Sequence, residues 1–375
     1  MRFGDPTEPA DADLATDSHR ARFARRLLEL TDLPAAIVAE AIGAESTAAL
    51  DALLTRIFAF DAAGLRKRRL ASERRAAATL DGGVMWTESF WQPNDISGTL
   101  GYLASRGIPG VVEVTDGRYR RIVRTSAGDA IAEVSVDTPA NDDVGRLRLR
   151  LAAEVVPAGP GELLALSDAV RRLFSLDSPP PGSIDALTAD PVLGPHVQAE
   201  PGRRLAGAWD RFETAIRIII GQQVTVAAAS TLTGRVVERC RDDTLDHQLD
   251  HQVSKGLIAP FPSAAEVAAA DLVDIGMPGS RVATIQRFAT AIATGDLDLD
   301  AAPTVADLCT VKGIGPWTAE LIAARVLGKP DAFPPKDLGL VRAYEAMGGA
   351  EPVEAAAERW RPHRASSIPY LWARA

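Results

Sequence analysis

The chain has 375 residues, 46% of them hydrophobic, with 41 Lys and Arg against 50 Asp and Glu and a formal net charge of −9. That balance excludes a uniformly basic binder of nucleic acid, although a local basic face still acts within a Debye length. Cys240 and Cys309 are the only cysteines, which excludes a disulfide framework and any four-cysteine zinc or iron–sulfur site.

There is no signal peptide and no apolar run long enough to span a bilayer, so the sequence reads as a cytoplasmic protein. Residues 1–18 carry Asp5, Glu8, Asp11, Asp13 and Asp17 against Arg2 alone and read as a disordered tail. Residues 19–75 read as helix, turn, helix, turn. Gly43 suits the tight turn, and Ser46 is a candidate N-cap for a helix from Thr47 to Arg56. This segment either reads DNA or packs as a plain helical element. In the helix from Thr47 to Arg56 only Asp51, Thr55 and Arg56 are candidates for base edges. The run Arg66-Lys67-Arg68-Arg69 is a solvated face or a phosphate contact.

Residues 84–155 change to a period of two. The expected strands are Thr87–Gln92, Gly110–Thr115, Arg118–Thr125, Ala130–Val136 and Arg146–Ala152, with a helix from Leu100 to Ser105. Asp116-Gly117 and Gly128-Asp129 mark hairpin turns. Residues 156–375 are helical, including Trp209 to Ile220 and, after Gly221, a helix from about Gln222 to Cys240. His247 and His251 stand four apart. That spacing suits a metal pair, but no Glu is placed as a zinc-hydrolase site requires, and a solvated loop fits as well. The expected class is α+β: helical segment, small antiparallel sheet with one or two helices, then a helical region.

The stretch from Leu308 to Leu340 organises the chain. Gly313 and Gly315 permit a tight hairpin that a ligand can approach closely. Pro316 suits the first position of a helix that carries Ala319, Ile322, Ala323 and Val326 on one side. Free N–H groups at such a helix start bind anions, here a phosphate. Phe333-Pro334-Pro335 is a rigid strut that delivers Asp337 to a fixed place before the next helix. Asp337 is a catalytic carboxylate or an N-cap, and both roles are compatible.

This hairpin, strut and carboxylate resemble the helix-hairpin-helix DNA glycosylase superfamily. From about Trp86 to the C-terminus the chain resembles the 3-methyladenine DNA glycosylase II family. The resemblance rests on Asp210-x-Phe212-Glu213, Ile220-Gly221-Gln222-Gln223-Val224, Gly276-Met277-Pro278, Gly313-Ile314-Gly315-Pro316-Trp317-Thr318-Ala319, Asp337, and Arg359-Trp360-x-Pro362 with Trp372. Residues 19–75 resemble a degenerate AraC-type helix-turn-helix, with Leu50 and Leu54 in place of the usual phenylalanines.

The resemblance implies a monofunctional glycosylase of base excision repair that flips and excises alkylated purines such as 3-methyladenine. It implies Asp337 as the catalytic residue, a base pocket of Tyr102, Trp317, Trp372 and Leu321, and a DNA wedge at Gln222 and Gln223. Hairpin phosphate binding falls to Gly313, Ile314, Gly315 and Thr318. A structural Na+ or K+ would sit on the main-chain carbonyls of Cys309, Val311 and Gly313. No other cofactor is implied. The implied partner is double-stranded DNA containing alkylated bases, met by a monomer at the bacterial nucleoid and not at a membrane. Leu321, Leu338 and Ala373 stand where members often have tyrosine. Trp317 stands where lyase relatives carry their lysine, which disfavours an 8-oxoguanine-type glycosylase/lyase. A non-catalytic, regulatory DNA-damage binder is the remaining alternative.

Overall fold

The structure is a computed structural model and describes residues 9–31, 33–58, 60–71, 84–137, 144–152, 161–177, 179, 182–241 and 256–375. The pair His247 and His251 lies outside the described residues. The chain divides into two compact units, Met1–Glu88 with Val123–Val134 and Arg148–Asp168, and Ser89–Ile122 with Ser135–Leu147 and Ala169–Ala375. This division differs from the expected 19–75, 84–155 and 156–375, because it runs through the strands.

In the first unit, α1 spans Pro9–Leu30. It starts well before the expected His19, within the segment 1–18 that was expected to be disordered. Residues 9–18 are alanine-rich, and alanine is the best helix former. Helix α1 buries Phe23, Ala24, Leu27 and Leu28, a spacing that makes one apolar stripe. Helix α2 (Ala35–Ala41) leads through Gly43, at φ 70°, to α3 (Thr47–Phe58). Ser46 Oγ accepts from Ala49 N–H at 3.1 Å, as expected of a cap. Arg20 fastens the turn by donating to Ile42 O at 2.9 Å and Gly43 O at 2.7 Å. Asp51 Oδ1 accepts the N–H of Ala62, the first residue of α4 (Ala62–Ala71), at 2.8 Å, and Arg56 pairs with Asp17. Two of the three candidate base readers are therefore engaged within the helices themselves.

The strands are β1 (Val84–Trp91), β2 (Val112–Thr115), β3 (Arg118–Thr125), β4 (Gly128–Val136) and β5 (Val144–Ala152), in the sheet order β1-β5-β4-β3-β2. Strands β2 and β3 pair antiparallel with Thr115 opposite Arg118. Asp116 and Gly117 between them both take positive φ, 52° and 69°, the two-residue hairpin geometry expected there. The next turn is Ser126-Ala127 rather than Gly128-Asp129, since β4 begins at Gly128 itself. Helix α5 (Ile96–Ala104) starts earlier than Leu100 because Asp95 caps it, accepting from Gly98 N–H at 2.7 Å.

The remaining helices are α6 (Glu162–Leu173), α7 (Ser183–Thr188), α8 (Gly194–Ala199), α9 (Arg211–Ile220), α10 (Val226–Cys240), α11 (Ala264–Ala269), α12 (Gly279–Thr294), α13 (Val305–Cys309), α14 (Pro316–Arg325), α15 (Leu338–Ala346), α16 (Val353–Ala357) and α17 (Ile368–Trp372). In the second unit, one core cluster joins Ile216, Ile219, Ile285, Phe288, Leu321 and Ile322. Another joins Ala323, Ala324, Phe333, Leu340, Tyr344, Trp360 and Tyr370. Helix α14 contributes to both clusters, so its axis is fixed from two sides. Whatever its N-terminus carries is held in place by that packing.

Candidate active site

The Val311–Pro316 hairpin presents its main chain. Ile314 is buried, and its N–H closes the turn onto Val311 O at 3.0 Å. Gly313 sits at φ 104°, where an added Cβ would stand 2.0 Å from Thr284 Oγ1. Only glycine fits there, because the hairpin lies directly against α12. Gly315 is different: it is exposed, and a Cβ on it would meet nothing within 4 Å. Pro316 takes the first position of α14 as expected. Thr318 is 3% exposed, and its hydroxyl accepts from Gln222 Nε2 at 2.8 Å. Its side chain is therefore committed to Gln222, and what it offers a phosphate is its main-chain N–H in the first turn.

Asp337 caps α15. Its Oδ1 accepts from Leu340 N–H at 3.0 Å and its Oδ2 from the Trp317 indole N–H at 2.9 Å. The side chain is nearly closed off, at 9% exposure. The strut before it is tied at both ends. Phe333 N–H donates to Glu320 at 3.0 Å, and Lys336 N–H donates to Glu354 at 2.9 Å. Lys336 itself takes the left-handed φ of 57°. A Cβ on Gly339 would stand 3.1 Å from Asp337 Oδ1 and 3.6 Å from Trp372 Cδ1, so carboxylate and indole flank one point. Trp372 then lies parallel to Tyr102, at 6.4 Å between centroids and 7° between planes.

Trp317, Asp337, Trp372 and Tyr102 thus form one continuous chain of neighbours. A cleft of about 230 Å³ opens beside Tyr102 and Trp372. Leu321 does not line it, being buried in the hydrophobic cluster against which Trp317 and Trp372 pack. Gln222 and Gln223 are not at a helix start as expected. They occupy the turn before α10, whose cap is Thr225, and Gln223 is exposed at φ 56°.

The sequence reading missed the arginines. Arg106 stacks its guanidinium 3.8 Å from the Tyr102 ring centre, and Arg325 lies 5.4 Å from it. They stand more than two hundred positions apart, and nothing local marks either as a partner of Tyr102. The Asp210-x-Phe212-Glu213 motif is architectural. Asp210 caps α9 by accepting from Glu213 N–H at 2.6 Å, and buried Glu213 pairs with buried Arg121 at 2.7 Å. Likewise Asp190 collects the Trp360 indole at 2.9 Å and Arg359 at 3.0 Å.

The AlkA N-terminal domain family matches residues 88–210, and the HhH-GPD superfamily of base excision DNA repair proteins matches residues 216–362. The chain is 32% identical over 297 residues to DNA-3-methyladenine glycosylase 2 of Escherichia coli, covering 77% of this chain and 96% of that one. The chain belongs to the AlkA family of DNA glycosylases. It is also 34% identical to a probable bifunctional transcriptional activator/DNA repair enzyme AlkA of Mycobacterium tuberculosis, over 95% of this chain and 70% of that one. A 3-methyladenine DNA-glycosylase from Archaeoglobus fulgidus shares the fold, with a TM-score of 0.59, 21% identity, and coverage of 76% of this chain and 97% of that one. As an AlkA-family member the chain is a helix-hairpin-helix DNA glycosylase of base excision repair, and DNA is its substrate. Among the described residues, no helix is long and apolar enough to cross a membrane.

Proposed function

We propose that this AlkA-family enzyme flips alkylated purines such as 3-methyladenine out of duplex DNA and hydrolyses their glycosidic bonds, with Asp337 as the catalytic carboxylate. Alkylation of a purine ring nitrogen makes the base a cation, so the bond to the sugar is already weakened. Expelling it then needs a negative group beside the sugar more than it needs an acid. The observation that carries this reading is Asp337 itself, whose two oxygens are oriented by Leu340 N–H and the Trp317 indole. A carboxylate fixed in this way faces developing oxocarbenium charge without reorganising, and it can place the attacking water.

In this reading Tyr102 and Trp372 flank the flipped base, with Trp317 and Leu321 behind it. Their 6.4 Å separation is close to two carbon–carbon contacts of about 3.5 Å each, so a flat base enters with a small opening. Gln223, exposed and held out by its turn, enters the gap left in the stack, and Gln222 braces that turn on Thr318. The hairpin grips a phosphate through main-chain N–H groups of Gly313, Ile314, Gly315 and Thr318, which fixes register and carries no sequence preference. No hydrogen bond reaches the carbonyls of Cys309 and Gly313 among the described residues. With Val311 O they fit a Na+ or K+, which would add positive charge beside that phosphate. Trp317 offers no amine, so no Schiff base forms there and the enzyme is monofunctional.

The test is to incubate the protein as a monomer with methylated duplex and identify released bases by mass spectrometry. Release of 3-methyladenine with an uncut strand, and no covalent enzyme–DNA complex trapped by borohydride, is expected. Tight binding without release would replace the reading with a damage-binding protein.

A further inference from the structure

A second cavity, of about 360 Å³, lies at the other end of α14 from the hairpin. Its wall carries seven Arg and Lys side chains and one carboxylate, Asp177. Some of these charges are matched locally: Arg171 pairs with Asp177, Arg203 with Glu200 at 2.6 Å, and Arg211 with Asp300 at 2.9 Å. Arg204 and Arg325 are not so matched. Arg204 donates to the carbonyls of Pro201, Arg203 and Pro93, and Arg325 to Ala206 O at 3.0 Å. Neither has a carboxylate partner among the described residues. Partial burial pulls both guanidinium pKa values down, as it does for a charge short of water and of a counter-charge.

Among the buried donors on the same wall that find no acceptor are Arg204 Nε and Tyr370 Oη, and Tyr370 is fully buried. Native proteins satisfy nearly all such groups, so two of them beside an excess of cations call for an acceptor that carries negative charge. The donors come from separate elements: Arg204 from the loop before α9, Arg325 from the end of α14, Lys329 from the turn after it, and Tyr370 from α17. Donors converging from several directions suit a tetrahedral oxyanion better than a planar carboxylate, which one guanidinium fork satisfies.

We propose that this cavity binds a phosphate or phosphomonoester, distinct from the DNA backbone gripped by the hairpin. Ten residues of α14 separate the two sites by about 15 Å. The cavity also reaches the base cleft, because Arg203, Arg204, Leu205 and Pro369 line both, and Arg325 lies beside Tyr102. A bound dianion would offset the Arg325 charge next to that ring. Resting on the base reading given above, this predicts that phosphate strengthens the hold on a cationic base.

The test is calorimetric titration of the full chain with inorganic phosphate in a phosphate-free buffer, beside Tyr370→Phe and Lys329→Gln. Tyr370→Phe removes an unsatisfied hydroxyl, so stability should hold or rise while phosphate affinity falls about tenfold. Lys329→Gln, at an exposed position, should weaken phosphate binding severalfold and leave folding alone. Affinity for undamaged duplex should be the same in all three proteins. The proposal is overturned if millimolar phosphate gives no heat, or if both variants bind as the parent does. It is also overturned if duplex affinity falls in parallel, which would make the site a backbone contact. None of these readouts depends on base excision, so they stand apart from the fate of the proposed activity.

Discussion

The Trp317 indole N–H donates to Asp337 Oδ2 across 2.9 Å, joining the first turn of the hairpin helix α14 to the N-cap of α15. The hairpin helix and the proposed catalytic carboxylate are thereby referenced to one side chain. Trp317→Phe keeps the ring and deletes the donor. A hydrogen bond to a charged group is worth about 1.5–3 kcal/mol, so the single-turnover excision rate should fall about ten- to a hundredfold. Affinity for undamaged duplex should not change. A parental rate in Trp317→Phe would show that the indole only fills space.

The two hairpin glycines should respond in opposite ways. Gly313→Ala meets Thr284 Oγ1 at 2.0 Å and keeps a left-handed φ, so it should lower the melting temperature. The strain alone costs about 1–2 kcal/mol. Gly315→Ala meets no neighbour and has an ordinary φ of −95°, so stability should be parental. Its methyl group projects where a phosphate approaches, and binding to damaged and undamaged duplex should weaken alike. A binding loss confined to damaged DNA would move the clamp elsewhere.

The N-terminal helices are part of a folded unit rather than a detachable module. Phe23 packs edge-on against Trp86 at 5.9 Å, and Arg26 pairs at 2.5 Å with Glu88, which is fully buried. Removing residues 1–80 would uncover Trp86 and take away the Arg26 guanidinium that pairs with Glu88. Such a truncation should be markedly less soluble and melt lower. Phe23→Ala in the full chain should cost about 3–5 kcal/mol by chemical denaturation. A truncation that melts at the parental temperature would contradict this packing.

Burial, reinforced by Glu266, pushes the Cys240 thiol up to about 12. The folded protein then holds that proton where the unfolded chain has lost it. The thiol's contribution to stability is complete below the ordinary thiol pKa of ~8.5 and is lost as the pH climbs toward 12. At neutral pH Cys240 should resist iodoacetamide until the protein is denatured, as mass mapping would show. Rapid labelling in the native state would contradict the raised thiol pKa that its partial burial gives it.

Much of this was legible because it is local. Pro316 at a helix start, Asp337 as a cap, Asp116-Gly117 in a hairpin and the bounds of β3 all follow from a few adjacent residues, and the structure has them in place. What escaped is what distance in sequence conceals. The indole–carboxylate bond spans twenty positions and uses a tryptophan that also reads as core. Arg106 and Arg325 stand singly in the chain and Arg204 follows Arg203 in a loop, and only folding assembles them around Tyr102 and the second cavity. Boundaries moved where a cap outranked periodicity: Asp95 advanced α5, and Thr225 delayed α10 and left Gln222 and Gln223 in a turn. Leu321 is expected in the base pocket by resemblance, and its neighbours bury it in the hydrophobic cluster.

The most direct test is single-turnover release of 3-methyladenine by Asp337→Asn. An amide cannot accept from both Leu340 N–H and the Trp317 indole. Circular dichroism and affinity for an abasic-site duplex must therefore first show the variant folded and binding. With those intact, losing the charge should slow release by about 10²–10³ or more. Release at the parental rate would make Asp337 a helix cap and place the catalytic group elsewhere.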